Sequence, residues 1–190
     1  LRYASTDPIK KATDENPSGY PVMPGKYKVT MSVSIDGVLK EVAGPVEFEA
    51  KVLNNVTLPA GDRSELVAFQ NKVNDLNRTV NGAIEVSSDL KSKIEILKTA
   101  IKQTQNAPQS LIDEANRIAD ENTTLYRKLV DDEVLSKRNE PTYPSINARI
   151  GEVVYGMWSS TSAPTNSYRQ NYQIASEEFS SDQLVLRHPI

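Results

Sequence analysis

The chain has 190 residues, no cysteine and a single histidine, His188. Without Cys there is no thiol nucleophile, disulfide or zinc–thiolate site. One His, two residues from the end, argues against a histidine triad or a multi-histidine metal site. Apolar residues make up only 38%, against a usual ~45–50%. Such a chain buries a thin core, which favours an elongated bundle or a small sandwich over a deep α/β enzyme core. No run approaches the ~18–20 uninterrupted apolar residues that a bilayer span requires. The eight glycines include no Gly-x-Gly, and no Gly-Lys-Ser/Thr occurs, so phosphate-cradling loops are absent as well.

The formal charge is −3, from 22 Lys/Arg and 25 Asp/Glu. That balance argues against nucleic acid as a partner. Residues 1–60 carry seven of each sign, so the whole acidic excess lies in 61–190. The opening Leu1-Arg2-Tyr3 has neither an initiator Met nor a signal-peptide apolar core, which fits a processed product or a piece cut from a larger protein. Lack of Cys is compatible with a bacterial envelope protein.

Two hydrophobic periods divide the chain. Residues 5–25 are rich in Pro and Gly and read as loop. Tyr27, Val29, Met31, Val33 and Ile35 then alternate with polar residues, a period of two that predicts a strand with one buried face. Asp36-Gly37 follows, a strong hairpin signal. After Gly44-Pro45, Val46, Phe48, Ala50 and Val52 alternate again. Two or three strands are marginal alone in water. Their apolar faces therefore predict an Ig-like partial sandwich whose open side rests on the helices near Tyr155 and Trp158, with Val33 and Trp158 sharing a core.

From Leu58-Pro59-Ala60-Gly61 the period changes. Leu66, Phe69, Val73, Leu76, Val80, Ala83, Leu90, Ile94, Leu97 and Ile101 step by three and four, with one step of seven across Ser87. This seam predicts one helix over roughly 62–104, about 60 Å long, in which Gly82 is a candidate bend. Asp62 or Ser64 can cap its start. A second helix starts with Pro108 at its first position, carries Leu111, Ala115, Ile118, Asn122, Leu125 and Leu129, and fades near Ser136. Ser145 caps a third, and after Ser160–Thr165 a last helix carries Tyr168, Tyr172, Ala175 and Phe179. Short connections predict antiparallel neighbours. The fold class is α+β: an Ig-like β module over 1–60, then an antiparallel bundle of three to four helices over 61–190 with one very long helix.

Few groups offer chemistry. Asp131, Asp132 and Glu133 form the densest carboxylate cluster, but neighbours on one helix point about 100° apart and do not face each other across a cleft. Glu177-Glu178 reads the same way, as solvated helix surface. Ser159, Ser160, Thr161 and Ser162 lack a base and an oxyanion hole and read as a helix end. Asp14-Glu15-Asn16 could offer oxygens to a cation but lacks EF-hand spacing. Tyr155, Trp158, Tyr168 and Tyr172 lie at helical spacing. They are core residues, contacts to a partner domain, or a sugar-stacking platform. No catalytic, cofactor-binding or metal-binding residue is assigned.

The tract Arg138-Asn139-Glu140-Pro141-Thr142-x-Pro144-Ser145-Ile146, then Arg149-x-Gly151 and Ser160-Thr161-Ser162-Ala163-Pro164-Thr165, carries a family likeness. So do Tyr172-x-Ile174-Ala175-x-x-Glu178-Phe179, Met23-Pro24-Gly25-x-Tyr27-x-Val29 and the opening Leu1-Arg2-Tyr3. Together they resemble the C-terminal region of large bacterial secreted proteins with sortilin-like, BNR-repeat (Asp-box) β-propellers, commonly described as glycosyl hydrolases. The resemblance covers nearly the whole chain. It implies a secreted, periplasmic or cell-envelope location and, as partner, an upstream propeller of the same polypeptide, with glycan or an envelope protein engaged through it. The family's Asp-boxes (Ser-x-Asp-x-Gly-x-x-Trp) are missing here, so no catalytic residue carries over. The reading is a non-catalytic accessory region. The alternatives are a region completing the active cleft of a glycan-degrading hydrolase, and a helical protein–protein adaptor.

Overall fold

A computed structural model describes residues 1–4, 18–53, 61–158 and 160–186. The sequence readings at Asp14-Glu15-Asn16, Leu58–Ala60, Ser159 and His188 lie outside them. The class is α+β. Strands β1 (Arg2–Ala4), β2 (Ser18–Pro21), β3 (Gly25–Ile35) and β4 (Val38–Ala50) precede the helices α1 (Arg63–Gln103), α2 (Gln109–Leu129), α3 (Glu133–Lys137), α4 (Ile146–Met157) and α5 (Asn166–Leu186).

The helical seam organises the molecule. Helix α1 is continuous for 41 residues, about 60 Å, and passes through Gly82 without interruption. Asp62 caps its start, accepting from the Ser64 and Glu65 amides at 2.8 and 3.2 Å. The Ser64 hydroxyl, which donates to the same carboxylate, and then these amide bonds hold the Asp62 carboxyl below its usual range. Helix α2 packs antiparallel on the C-terminal half of α1. It stops at Leu129, short of the expected Ser136, because the Asp131-Asp132 step opens a new turn: Asp132 caps the five-residue α3. Pro108 is the cap residue of α2 rather than its first helical residue.

Helix α4 covers the N-terminal half of α1. Its first apolar residues, Ile146 and Ile150, meet Val80 and Leu129, while Val153 and Met157 meet Leu66, Phe69 and Val73. Helices α2 and α4 both run antiparallel to α1 and so run the same way as each other. The expected alternation of direction between successive helices fails here because residues 130–145 are long enough to carry the chain onward along α1. Helix α5 folds back on α4 and runs parallel to α1, through Phe69–Tyr172 and Val80–Phe179.

The β part departs further from expectation. Among the described residues it forms two separate two-stranded antiparallel sheets, β1–β2 and β3–β4, and no sandwich. Strand β2 falls within the stretch read as loop. Its Tyr20 is fully buried in the bundle core with Leu66, Phe69, Val73, Val153 and Met157, a long-range burial that no local periodicity signals.

The β3–β4 hairpin turns at Asp36-Gly37, both with positive φ (51° and 81°), the type I′ geometry that suits strand twist. Strand β4 starts at Val38 rather than Val46 and runs through Gly44-Pro45, where the register shifts opposite Val29–Met31. Gly44 has φ 114°, and a Cβ there would lie 2.7 Å from the Val29 carbonyl oxygen, so only glycine fits this bulge. One face presents Val29, Met31, Val33 and Ile35 beside Val38, Val46 and Phe48, all exposed. The opposite face pairs Lys26 with Glu49 and Lys28 with Glu47 in register, the latter as an ion pair at 3.3 Å. The apolar face does not rest on the helices: Val33 remains 38% exposed.

Candidate functional site

The four aromatic candidates separate. Tyr172 lies edge-on to Phe69 at 5.6 Å between ring centres, and Arg169 covers that ring while pairing with Glu65 at 2.8 Å. Tyr168 packs on the same cluster and closes over Gly156, where a Cβ would meet its hydroxyl at 2.1 Å. Trp158, at the C-cap of α4, meets Tyr20 at 6.2 Å. Tyr155 points away and is 87% exposed, because Ile150, Val153 and Met157 hold the opposite face of α4 inward. Three of the four are therefore packing residues, and they form no common stacking platform with Tyr155. Trp158 pairs with β2 and not with the β3–β4 face that holds Val33.

Arg2 fastens this corner. Its guanidinium donates to the carbonyls of Trp158 at 2.8 Å and Gly19 at 3.0 Å and lies 5.1 Å from the centre of the Trp158 ring. Both bonds leave from Nη1, and the flat guanidinium that stacks on the indole at the same time joins strand to helix in a way lysine does not reproduce. The hairpin is leashed beside it: Tyr27 Oη donates to the Met23 carbonyl at 2.6 Å, and the Met23 amide to Tyr3 Oη at 3.4 Å.

Tyr20 Oη is buried without a hydrogen-bond partner among the described residues. Burial raises its pKa from 10 to about 12, because the phenolate would lose water and gain nothing. A phenol this hard to ionise stays protonated near neutral pH and offers no base there.

The carboxylates serve architecture. Asp131 accepts the Ser145 amide at 3.2 Å. Asp132 accepts the Val134 amide at 2.9 Å and pairs with Arg127 at 3.2 Å. Glu133 pairs with Lys137 across one turn, which lowers its pKa. In the hydroxyl run, Ser160 Oγ accepts the Ser162 amide, and Thr165 caps α5 through the Tyr168 amide. A cavity of about 380 Å³ lies where the end of α2 meets the start of α4, lined by Arg127, Lys128, Tyr143, Ser145, Glu178 and Ser181. Among the described residues its walls carry both signs of charge and one carboxylate, Glu178. Among the described residues no group of three His, Cys, Asp or Glu could hold a metal ion, and no helix is long and apolar enough to cross a membrane.

The uncovered apolar face of the β3–β4 hairpin is thus the surface whose composition least suits water. Periodicity identified its residues apart from Val38, whereas the Arg2–Tyr20–Trp158 corner escaped it, since three contacts spread over 157 residues leave no local pattern. Comparison of the chain with family models, with curated proteins and with solved structures finds no match.

Proposed function

We propose that this chain is a non-catalytic accessory region whose role is positional: it holds a sortilin-like, BNR-repeat propeller of the same polypeptide or mediates assembly at the bacterial cell envelope. The observation that carries the reading is the β3–β4 face. Seven apolar side chains from Val29 to Phe48 stand exposed on a hairpin anchored to a well-packed bundle, and an apolar patch of this extent marks a protein contact. In this reading the hairpin is half of an Ig-like sandwich whose other half comes from whatever covers it. Secretion and the engagement of glycan or an envelope protein belong to the propeller.

Completion of a hydrolase cleft draws less support. Its acids would face each other across a cavity, and the carboxylates at 131–133 are spent on caps and ion pairs.

Amide hydrogen exchange on the chain alone and on the longer propeller-containing polypeptide tests the reading. Protection of Tyr27–Ile35 and Val46–Phe48 should be higher in the longer protein than in the chain diluted to its single-copy form, and the chain alone should turn over no chromogenic glycoside. Unchanged exchange, or turnover abolished by one carboxylate substitution with folding intact, would overturn it.

A further inference from the structure

We infer that the apolar face of the β3–β4 hairpin seats the same face of a second copy of this chain, giving a two-fold, four-stranded sandwich. The inference rests on the reading of that face as a contact surface and names its occupant. Area supplies the first argument. From their fractional exposures, the side chains from Val29 to Ile35 with Val38, Val46 and Phe48 leave on the order of 700 Å² open, beyond the ~300–600 Å² of the largest patch on a typical monomer. Two such faces brought together remove about 1,400 Å², within the ~1,200–2,000 Å² of a stable specific interface.

Self-matching supplies the second. Among the described residues the exposed large apolar residues of the helices, such as Val86, Ile96, Leu97 and Leu111, are dispersed along α1 and α2, so the face that matches this one in extent is the face itself. Sheets packed face to face stand about 10 Å apart and interdigitate their side chains, and a two-fold axis through the middle of the hairpin closes the assembly at two copies.

Charge supplies the third. Residues 25–51 hold four Lys and four Asp/Glu, so two hairpins meet without net repulsion. Most of these charges lie on the opposite face. Lys40, in register with Val33, sits toward the hairpin tip, where its ammonium can reach water at the rim.

The chain lacks cysteine, which makes single-cysteine reporters clean. Sedimentation equilibrium at about 10 µM, a concentration at which a micromolar dimer is well populated, should give twice the 21.0 kDa chain mass. Met31→Glu with Val46→Glu should return the mass to one chain, with helical circular dichroism unchanged because both side chains are exposed in the single chain. Met31→Cys, near the middle of the face, should cross-link two copies under mild oxidation, and Ser32→Cys on the other face should not.

A single-chain mass for the unaltered protein overturns the inference; so does a dimer that survives the double Glu variant, or one cross-linked equally by both cysteines. A monomeric chain whose hairpin amides are nonetheless protected in the longer polypeptide would refute the dimer and leave the accessory-region reading standing.

Discussion

Ser87 and Asn122 clasp each other at the centre of the α1–α2 pair. Ser87 Oγ donates to Asn122 Oδ1 at 2.8 Å, and Asn122 Nδ2 donates to the Ser87 carbonyl at 3.0 Å. Both residues are buried. Two polar groups at opposed seam positions satisfy each other only in one alignment, so they fix the register of an otherwise sliding apolar seam. Removing one partner strands the other. Asn122→Ala is expected to cost about 1–3 kcal/mol, and a double-mutant cycle with Ser87→Ala should give a coupling above about 1 kcal/mol in urea unfolding. Additive effects would mean that the pair does not act as a unit.

Tyr20→Phe tests a buried hydroxyl without a partner. Deleting it removes a desolvated donor and leaves the ring in place, so stability at neutral pH should hold or rise by up to about 1 kcal/mol. The alkaline limb follows from linkage. Folding raises the phenol pKa from 10 to about 12, so the associated stability is complete below pH 10 and is lost as pH rises through 12, because the unfolded chain ionises first. Unfolding midpoints measured from pH 8 to 12 should fall less steeply for Tyr20→Phe than for the natural chain.

How much of this was readable from the sequence depends on the distance over which each signal acts. The α1 helix, its cap Asp62, the Asp36-Gly37 turn, Ser145 and Thr165 are local, and the period or the turn chemistry within a few residues specifies them. Helix α3 is too short for a period, so Asp132 read as surface rather than as a cap. Tyr20 and Arg2 were illegible because their partners lie up to 156 residues away, and nothing near Gly19 marks the stretch as core. The hairpin's apolar face was legible as residues but not as a contact: alternation says that a face avoids water and leaves open what covers it.

Arg2 joins strand β1 to helix α4 through Trp158, the chain's single tryptophan. Arg2→Ala should cost about 1–3 kcal/mol, from bonds to a charged donor and the loss of the guanidinium over the indole. Arg2→Lys should recover only part of this, since an ammonium lacks the flat face that stacks on the indole while bonding the carbonyls. Trp158 fluorescence should shift to the red in both variants. An unshifted spectrum would show that the β1–β2 corner is held by Tyr20 alone.

Gly44→Ala separates the hairpin from the bundle. The added Cβ would press on the Val29 carbonyl and the Thr30 backbone at a positive φ, so the bulge must open. Amide exchange in β3 and β4 is expected to accelerate markedly while exchange in α1 and α4 stays unchanged, because the two regions share little packing. Slower folding or faster exchange throughout the helices would mean that the hairpin supports the bundle.

The long seam of α1 is not one uniform core, although its spacing is uniform. At its N-terminal half, Val73 and Val80 are enclosed by α4 and α5 as well as by α1's own neighbours, and both are fully buried. Beyond Ser87, among the described residues, only α2 covers the seam: Ile94 is buried, but Leu90 and Leu97 stay 37% and 52% exposed. The same heptad position therefore has different energetic weight at the two ends. Leu129→Ala, deep in the enclosed half, should cost about 2–5 kcal/mol, whereas Leu97→Ala should cost less than about 1 kcal/mol. Thermal unfolding of the two variants decides the matter: equal losses would require a further covering element over the distal half of α1 and would contradict the arrangement of α2 and α4 end to end along it.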